Sequence, residues 1–235
     1  MSILSDYSPL HEVYSIDESF VDLTGMPKLR ELTYSMRERV TAWTGIPVCV
    51  GVGPTKTLAK LANHIAKKHP RSKGVFNYND LSEDQQRRVL SKLEVGEVWG
   101  VGRRIAARLA EFNIHTVQDL RAAHTPTLRA EFGVVLEKTQ RELQGIACIE
   151  LQEMIPDKKQ IVSSRSFGQS VKDLAVLQDA MSTFVANACV KLRAQCSHAS
   201  LIQVSLHTNR FRKDLPQYNP CFAVPCRCHS RQATA

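Results

Sequence analysis

Asp17 and Glu18 are adjacent carboxylates set between two β-prone runs, residues 13–16 and 19–23, and this arrangement predicts a hairpin with an acidic tip. Oxygen donors at such a tip suit Mg²⁺, a hard ion usually held by one or two carboxylates plus substrate phosphates. Two such ions clamp the attacking and leaving oxygens of phosphoryl transfer. A merely solvated acidic turn is the plain alternative. Residues 51–57 (GVGPTKT) form a glycine turn leading into a helix, whose free N–H groups and positive dipole end suit an anion. The run is not a P-loop, because Thr55 stands where glycine must precede Lys-[Ser/Thr]. Lys56 and Lys60 follow one turn apart, placed either to meet a triphosphate or to form a solvated lysine face.

A second constellation is Trp99-Gly100-Val101-Gly102-Arg103-Arg104. Glycines in a tight turn let backbone N–H groups approach a nucleic-acid phosphate, a contact that positions a duplex without reading its sequence. An ordinary helix turn is the alternative. Val101, Ile105, Leu109 and Ile114 are spaced to pack beneath it. A dinucleotide fold is excluded, since no third glycine follows at the required position and no strand precedes. Cys221, Cys226, Cys228 and His229 match no standard zinc spacing.

These side chains need elements to carry them. Leu29, Leu32, Met36, Val40 and Trp43 recur at helical spacing and predict a helix over 28–44; residues 46–52 read as a strand. The next helix carries Leu58, Leu61, Ala62 and Ile65 on one face, with Lys56, Lys60, Asn63 and Lys67 on another. Ser82 and Gln85 form a capping box opening a helix to about residue 93, and a domain boundary is expected near Asp80. Further helical segments are punctuated by Gly100 and Gly102, Asn113, the cap signal of Thr116 with Asp119, and Thr125-Pro126 ahead of a helix ending near Gly145. Residues 150–160 read as a linker; beyond it 161–167 reads as a strand, 175–195 as an amphipathic helix and 201–207 as a strand.

Charge is distributed unevenly. The formal net charge is +8, and from Asp157 onward eleven Lys or Arg face four Asp, a balance of +7 that leaves +1 for everything before. Such basicity fits a polyanionic partner. Seven irregularly spaced cysteines do not form a disulfide framework, which agrees with a reducing compartment. No stretch approaches the roughly 20 apolar residues of a membrane span and the first ten residues lack signal-peptide character, so a cytoplasmic protein without a membrane partner is expected.

Taken in order, YSIDESFVDLTG from Tyr14, GVGPTKTLAKLANHIAKK from Gly51, VWGVGRRIAARL from Val98 and SRSFG from Ser164 resemble the UmuC branch of the Y-family DNA polymerases over roughly residues 1–219. The resemblance implies an α+β protein with a partial palm (1–80), a helical helix-hairpin-helix thumb (81–149), a linker (150–160) and a partial α/β little finger (161–219). It implies error-prone synthesis past damaged bases in the SOS response, with Mg²⁺ as cofactor. By resemblance, Asp17 and Glu18 are catalytic metal ligands, Lys60 contacts the incoming triphosphate, Gly100 to Arg104 hold DNA backbone, and Ser164, Arg165 and Ser166 open the little finger on DNA. Implied partners are primed or damaged DNA, a UmuD-type accessory dimer, RecA and the sliding clamp.

Departures from the family pattern shape the expectation for this chain. Only about sixteen residues precede Asp17, too few for the N-terminal strand that supplies another metal-binding aspartate and for the fingers. The clamp-binding segment is not found, and residues 220–235 read as an unrelated or disordered tail. The chain therefore reads as truncated at both ends and is expected not to extend a primer alone. A non-catalytic DNA-binding remnant is the alternative to an enzyme. An unrelated helix-hairpin-helix protein would leave the acidic hairpin and the Lys60 helix unexplained.

Overall fold

The computed structural model describes residues 2–151, 158–212, 214 and 216–226. They divide into two compact units, separated between residues 155 and 156, and no helix among them is long and apolar enough to cross a membrane. The fold mixes helices with short sheets.

Unit one opens with a single turn, α1 (Ser2–Ser5), and the antiparallel hairpin β1 (His11–Val13) and β2 (Ser19–Val21), in which Glu12 faces Phe20. The first strand lies earlier than its β-prone residues predict. Tyr14 to Glu18 form a five-residue loop, closed where the Glu18 carbonyl accepts the Tyr14 and Ser15 N–H groups. Helix α2 (Leu29–Thr44) stops at Gly45, whose φ of +70° puts its N–H on the Thr41 carbonyl. The helix buries Met36, but Trp43, expected on the same stripe, is two-thirds exposed because it sits in the last turn, beyond the body the helix packs on.

The strand predicted over 46–52 is confined to β3 (Val50–Val52), which pairs in parallel with β4 (Val75–Asn77) on either side of α3 (Lys56–Lys68). Gly51 and Gly53 are there for packing. A Cβ on Gly51 would lie 2.0 Å from the Asn63 nitrogen and one on Gly53 2.7 Å from the Ala59 nitrogen, so only glycine lets the strand lie this close to the helix backbone. The apolar face of α3 behaves as its periodicity predicts, with Leu58, Leu61, Ala62 and Ile65 all buried.

Helix α4 (Glu83–Leu90) starts with the expected Ser82–Gln85 capping box and ends three residues earlier than predicted. After it come a 3₁₀ turn (Val95–Glu97), α5 (Arg103–Ala110) and α6 (Val117–Ala122), the last opened by the Thr116–Asp119 capping box. The single helix expected up to Gly145 is two, α7 (Thr125–Phe132) and α8 (Val134–Leu143), because Gly133 takes a φ of +82° between them. One apolar cluster joins Leu58 and Leu61 of α3 to Leu90, Leu109, Leu120 and Leu143, so residues on both sides of Asp80 share a core.

Unit two contains α9 (Leu174–Ala194), capped by Asp173, and an antiparallel pair, β5 (Leu201–Ser205) with β6 (Cys221–Pro225). Two expectations change here. Residues 161–167 form no strand, since no described neighbour offers them a ladder. Cys221–Pro225, read as the start of a tail, instead pairs along its full length with β5.

Candidate functional site

The β1–β2 loop brings Asp17 and Glu18 over the lysine face of α3. Glu18 Oε2 lies 2.8 Å from Lys60 Nζ. The Asp17 carboxyl accepts the Ser15 hydroxyl at 2.6 Å and stays solvent-facing. That hydrogen bond holds its pKa below the ordinary value; slight burial opposes it, while the Asp17 N–H and the charges of Lys67 and Lys60 reinforce it. The Lys60 ammonium also lies 4.4 Å from the Tyr14 ring centroid and 5.1 Å from that of Trp99, distances at which a ring face attracts a cation.

Lys56, one turn earlier, has a different setting. Its Nζ meets Glu12 Oε2 at 2.6 Å and the Glu150 carbonyl at 3.2 Å, beneath the Phe20 ring at 4.6 Å. Both side chains of this pair are more than nine-tenths buried. The α3 N-terminus does hold an anion, but an internal one. The fully buried Glu142 accepts Thr57 N–H on Oε2 at 2.9 Å, and Cys148 and Ile149 N–H on Oε1 at 2.8 and 3.0 Å. Thr55 Oγ1 takes the Leu58 N–H and donates to the Glu142 carbonyl. The helix end suggested as a phosphate cradle is therefore filled by the chain's own carboxylate.

The glycine turn lies between Val98 and Val101, both buried, with Val101 N–H on the Val98 carbonyl at 2.9 Å. Gly100 carries the left-handed conformation, φ +89°. Gly102 is extended as the N-cap of α5, and a Cβ there would meet nothing within 4 Å. Arg103 and Arg104 begin the helix and are exposed. The element before the turn is a single 3₁₀ turn rather than a full helix. Trp99 reaches back from this turn, its Nε1–H donating to Tyr14 Oη at 3.1 Å.

The geometry thus gathers Asp17, Glu18 and Lys60, sets Lys56 apart, and links the Gly100–Gly102 turn to the acidic loop through Trp99. Ser164, Arg165 and Ser166 lie exposed in an irregular stretch of unit two. Sequence reasoning passed over Glu12, Glu142, Tyr14 and Phe20 as site residues; the available signal was a pair of lysines one turn apart that required counter-charges. Among the described residues no three His, Cys, Asp or Glu cluster to hold a metal, and Cys228 and His229 lie outside the described residues. Asp17 and Glu18 nevertheless fit a hard divalent cation: Asp17 is ionised and open to solvent, and both offer the oxygen donors such an ion takes alongside water and phosphate.

The impB/mucB/samB family model matches residues 1–64, and the model of that family's C-terminal domain matches residues 158–234. The chain is 43% identical to Protein UmuC of Salmonella typhimurium over 228 residues, covering 95% of this chain and 54% of that one. The chain belongs to the impB/mucB/samB family. Protein MucB of Escherichia coli is 44% identical over 210 residues, covering 88% of this chain and 50% of its own. DNA polymerase IV of Pelotomaculum thermopropionicum is 36% identical over 137 residues, 57% of this chain and 32% of that protein. The chain spans about half the length of the UmuC and MucB relatives it matches. In fold it resembles a Y-family DNA polymerase chimera, with TM-score 0.65, 22% identity, 97% of this chain and 63% of that chain covered. A DinB family error-prone DNA polymerase from Sulfolobus solfataricus gives TM-score 0.51 at 22% identity, over 94% of this chain and 63% of that one. Because the C-terminal match runs to residue 234, the segment after 220 is part of the family pattern and not unrelated sequence.

Proposed function

We propose that this chain carries the metal-binding loop and the DNA-holding turn of an error-prone translesion DNA polymerase of the SOS response. The observation that carries the reading is the convergence of Asp17, Glu18 and Lys60, from elements 42 residues apart, beside the Gly100–Gly102 turn. Asp17 and Glu18 would hold Mg²⁺, which supplies charge neutralisation and Lewis-acid polarisation at the phosphates when bound. Lys60 orients the incoming triphosphate, with its ammonium kept in place by the Tyr14 and Trp99 rings. Exposed backbone at Gly100 and Gly102, on either side of the buried Val101, and the guanidinium groups of Arg103 and Arg104 hold the duplex without reading sequence. Ser164, Arg165 and Ser166 add contacts from unit two. The reaction is attack of the primer 3′-hydroxyl on the α-phosphate of a paired nucleotide, with pyrophosphate leaving. Lys56 is assigned to structure, not to nucleotide, because Glu12 already neutralises it in a buried pair. A UmuD-type dimer, RecA and the sliding clamp are the protein partners this reading brings with it, in the cytoplasm.

A second reading is DNA holding without catalysis, which needs only the exposed turn and the exposed Arg103 and Arg104 behind it. Primer extension with Mg²⁺ and nucleotides separates the two. Extension abolished by Asp17→Ala supports catalysis; tight duplex binding without extension supports the holding role. A chain that does neither overturns both.

A further inference from the structure

We propose that Trp99 is a positioning residue that couples the DNA-holding turn to the carboxylate loop, so that a divalent cation at Asp17 and Glu18 and a duplex at Gly100 to Gly102 bind with positive cooperativity. The inference rests on the functional reading above and adds a link that neither site needs for its own chemistry.

Trp99 immediately precedes Gly100, and its side chain leaves the turn to enter the acidic hairpin. Its ring stands edge-on to Tyr14 at 5.4 Å between centroids and lies 5.8 Å from Phe20. The Nε1–H donates to Tyr14 Oη at 3.1 Å. Tyr14 belongs to the same loop as both carboxylates, and its N–H is held by the Glu18 carbonyl at 3.1 Å. A short contiguous path therefore runs from the turn, through one indole and one phenol, to the backbone that aims Glu18. The Lys60 ammonium lies against the same two rings while paired with Glu18. When a cation takes over Glu18, the rings keep the released ammonium beside the loop.

The turn does not depend on Trp99 for its anchorage. Val98 and Val101 on either side are buried in the apolar cluster, whereas Trp99 is only partly buried and is not a member of it. An indole spared from core packing and hydrogen-bonded across 85 residues of sequence to a partly exposed phenol is placed to transmit position rather than to fill space. Coupling between two ligands is reciprocal, so it can be read from the DNA side.

The test measures binding of a fluorescein-labelled duplex by anisotropy at constant ionic strength, with and without Mn²⁺, for the full chain. The Asp17→Asn/Glu18→Gln double variant reports the effect of Mn²⁺ on the DNA itself. Relative to that variant, the unsubstituted chain should gain about three- to tenfold in affinity on adding Mn²⁺, the size of one aromatic contact. Trp99→Leu should lose the gain, and Trp99→Phe, which keeps a ring but no donor, should retain part of it. A purely structural role would move the melting temperature and leave this ratio alone. If Trp99→Leu fails to fold, Tyr14→Phe and Trp99→Phe carry the test, each lowering the ratio and the pair together lowering it no further. Folded variants that keep the full ratio overturn the inference. Mn²⁺ binding counted by electron paramagnetic resonance, and duplex binding without metal, stand as separate arms. If both occur without cooperativity, the inference falls and the functional reading stands; if neither occurs, both fall.

Discussion

The two units of the chain differ in how they are held together. Unit one closes a single apolar cluster from Leu58 to Leu143 and threads buried ionic contacts through it, with Lys56 on Glu12 and Glu142 on three backbone N–H groups. Among the described residues of unit two none is buried; α9 and the β5–β6 pair leave Leu174, Val190, Phe211 and Phe222 more than half exposed. A two-stranded ribbon without further strands or a helix packed on it is marginal in water by itself. Precise chemistry needs side chains held by a packed surround, and that surround lies in unit one. Unit two instead carries most of the excess basic charge on exposed side chains.

The sharpest way to break this contrast is truncation in the two units. Glu142→Leu removes the acceptor of three backbone N–H groups, one buried and two partly buried; hydrogen bonds to a charged group contribute about 1.5–3 kcal/mol each, so unit one should lose at least about 3 kcal/mol or fail to fold. Val190→Ala in unit two should change stability by no more than about 0.5 kcal/mol. Urea unfolding followed by circular dichroism and by tryptophan emission, both tryptophans lying in unit one, compares them. Equal effects would remove the distinction.

Next in size is the contrast between two lysines on one helix. Lys56→Met takes the ammonium from a buried carboxylate and should cost about 3 kcal/mol. Lys60→Met breaks a partly exposed pair worth under about 1 kcal/mol and should chiefly weaken nucleotide binding. The same denaturant series, with nucleotide affinity measured alongside, checks both. A severe stability loss in Lys60→Met, or none in Lys56→Met, would reverse the assignment.

The hairpin, the α3 stripe and both capping boxes were legible in the sequence because each is written within a few residues: alternation, 3.6-residue spacing, a Ser or Thr three positions before its partner. The acidic tip and Lys60 were legible for the same reason, together with their resemblance to a family pattern. What stayed hidden is non-local. Lys56 finds Glu12 across 44 residues and Thr57 finds Glu142 across 85, so no window on the sequence predicts that one lysine is buried and the other is not. The break at Gly133 was visible as a glycine, but apolar spacing on both sides masked it. Cys221–Pro225 reads as tail for a non-local reason too: a five-residue strand is defined by its partner, which lies some twenty residues earlier.

A smaller effect comes from His64 on α3, whose pKa burial lowers from 6.5 against the pull of Glu97, with Nε2 3.4 Å from Glu97 Oε2. The unfolded chain then takes up the proton first as pH falls, so unit one should lose stability below pH 6.5. Glu97, whose own pKa is held below 4.5 by Lys68, contributes only at more acid pH. The melting temperature of His64→Gln should be flatter than that of the unsubstituted chain between pH 6.5 and 4.5. An unchanged slope in the variant would show that His64 is not the titrating group.

The central claim, that unit one holds DNA backbone through the turn at Gly100 to Gly102 and the arginines behind it, is tested most directly by the salt dependence of binding. Anisotropy on primed and random-sequence duplexes over a salt series should show affinity independent of sequence and falling steeply with salt. Arg103→Ala/Arg104→Ala should shallow the slope by up to about two phosphate equivalents, roughly 0.9 per contact on duplex DNA, with circular dichroism unchanged. Gly102→Val should weaken binding without unfolding the chain, since a Cβ there meets nothing within 4 Å and the backbone is not left-handed. An unchanged salt slope in the folded double-arginine variant would contradict the account and leave the turn a structural connection between helices.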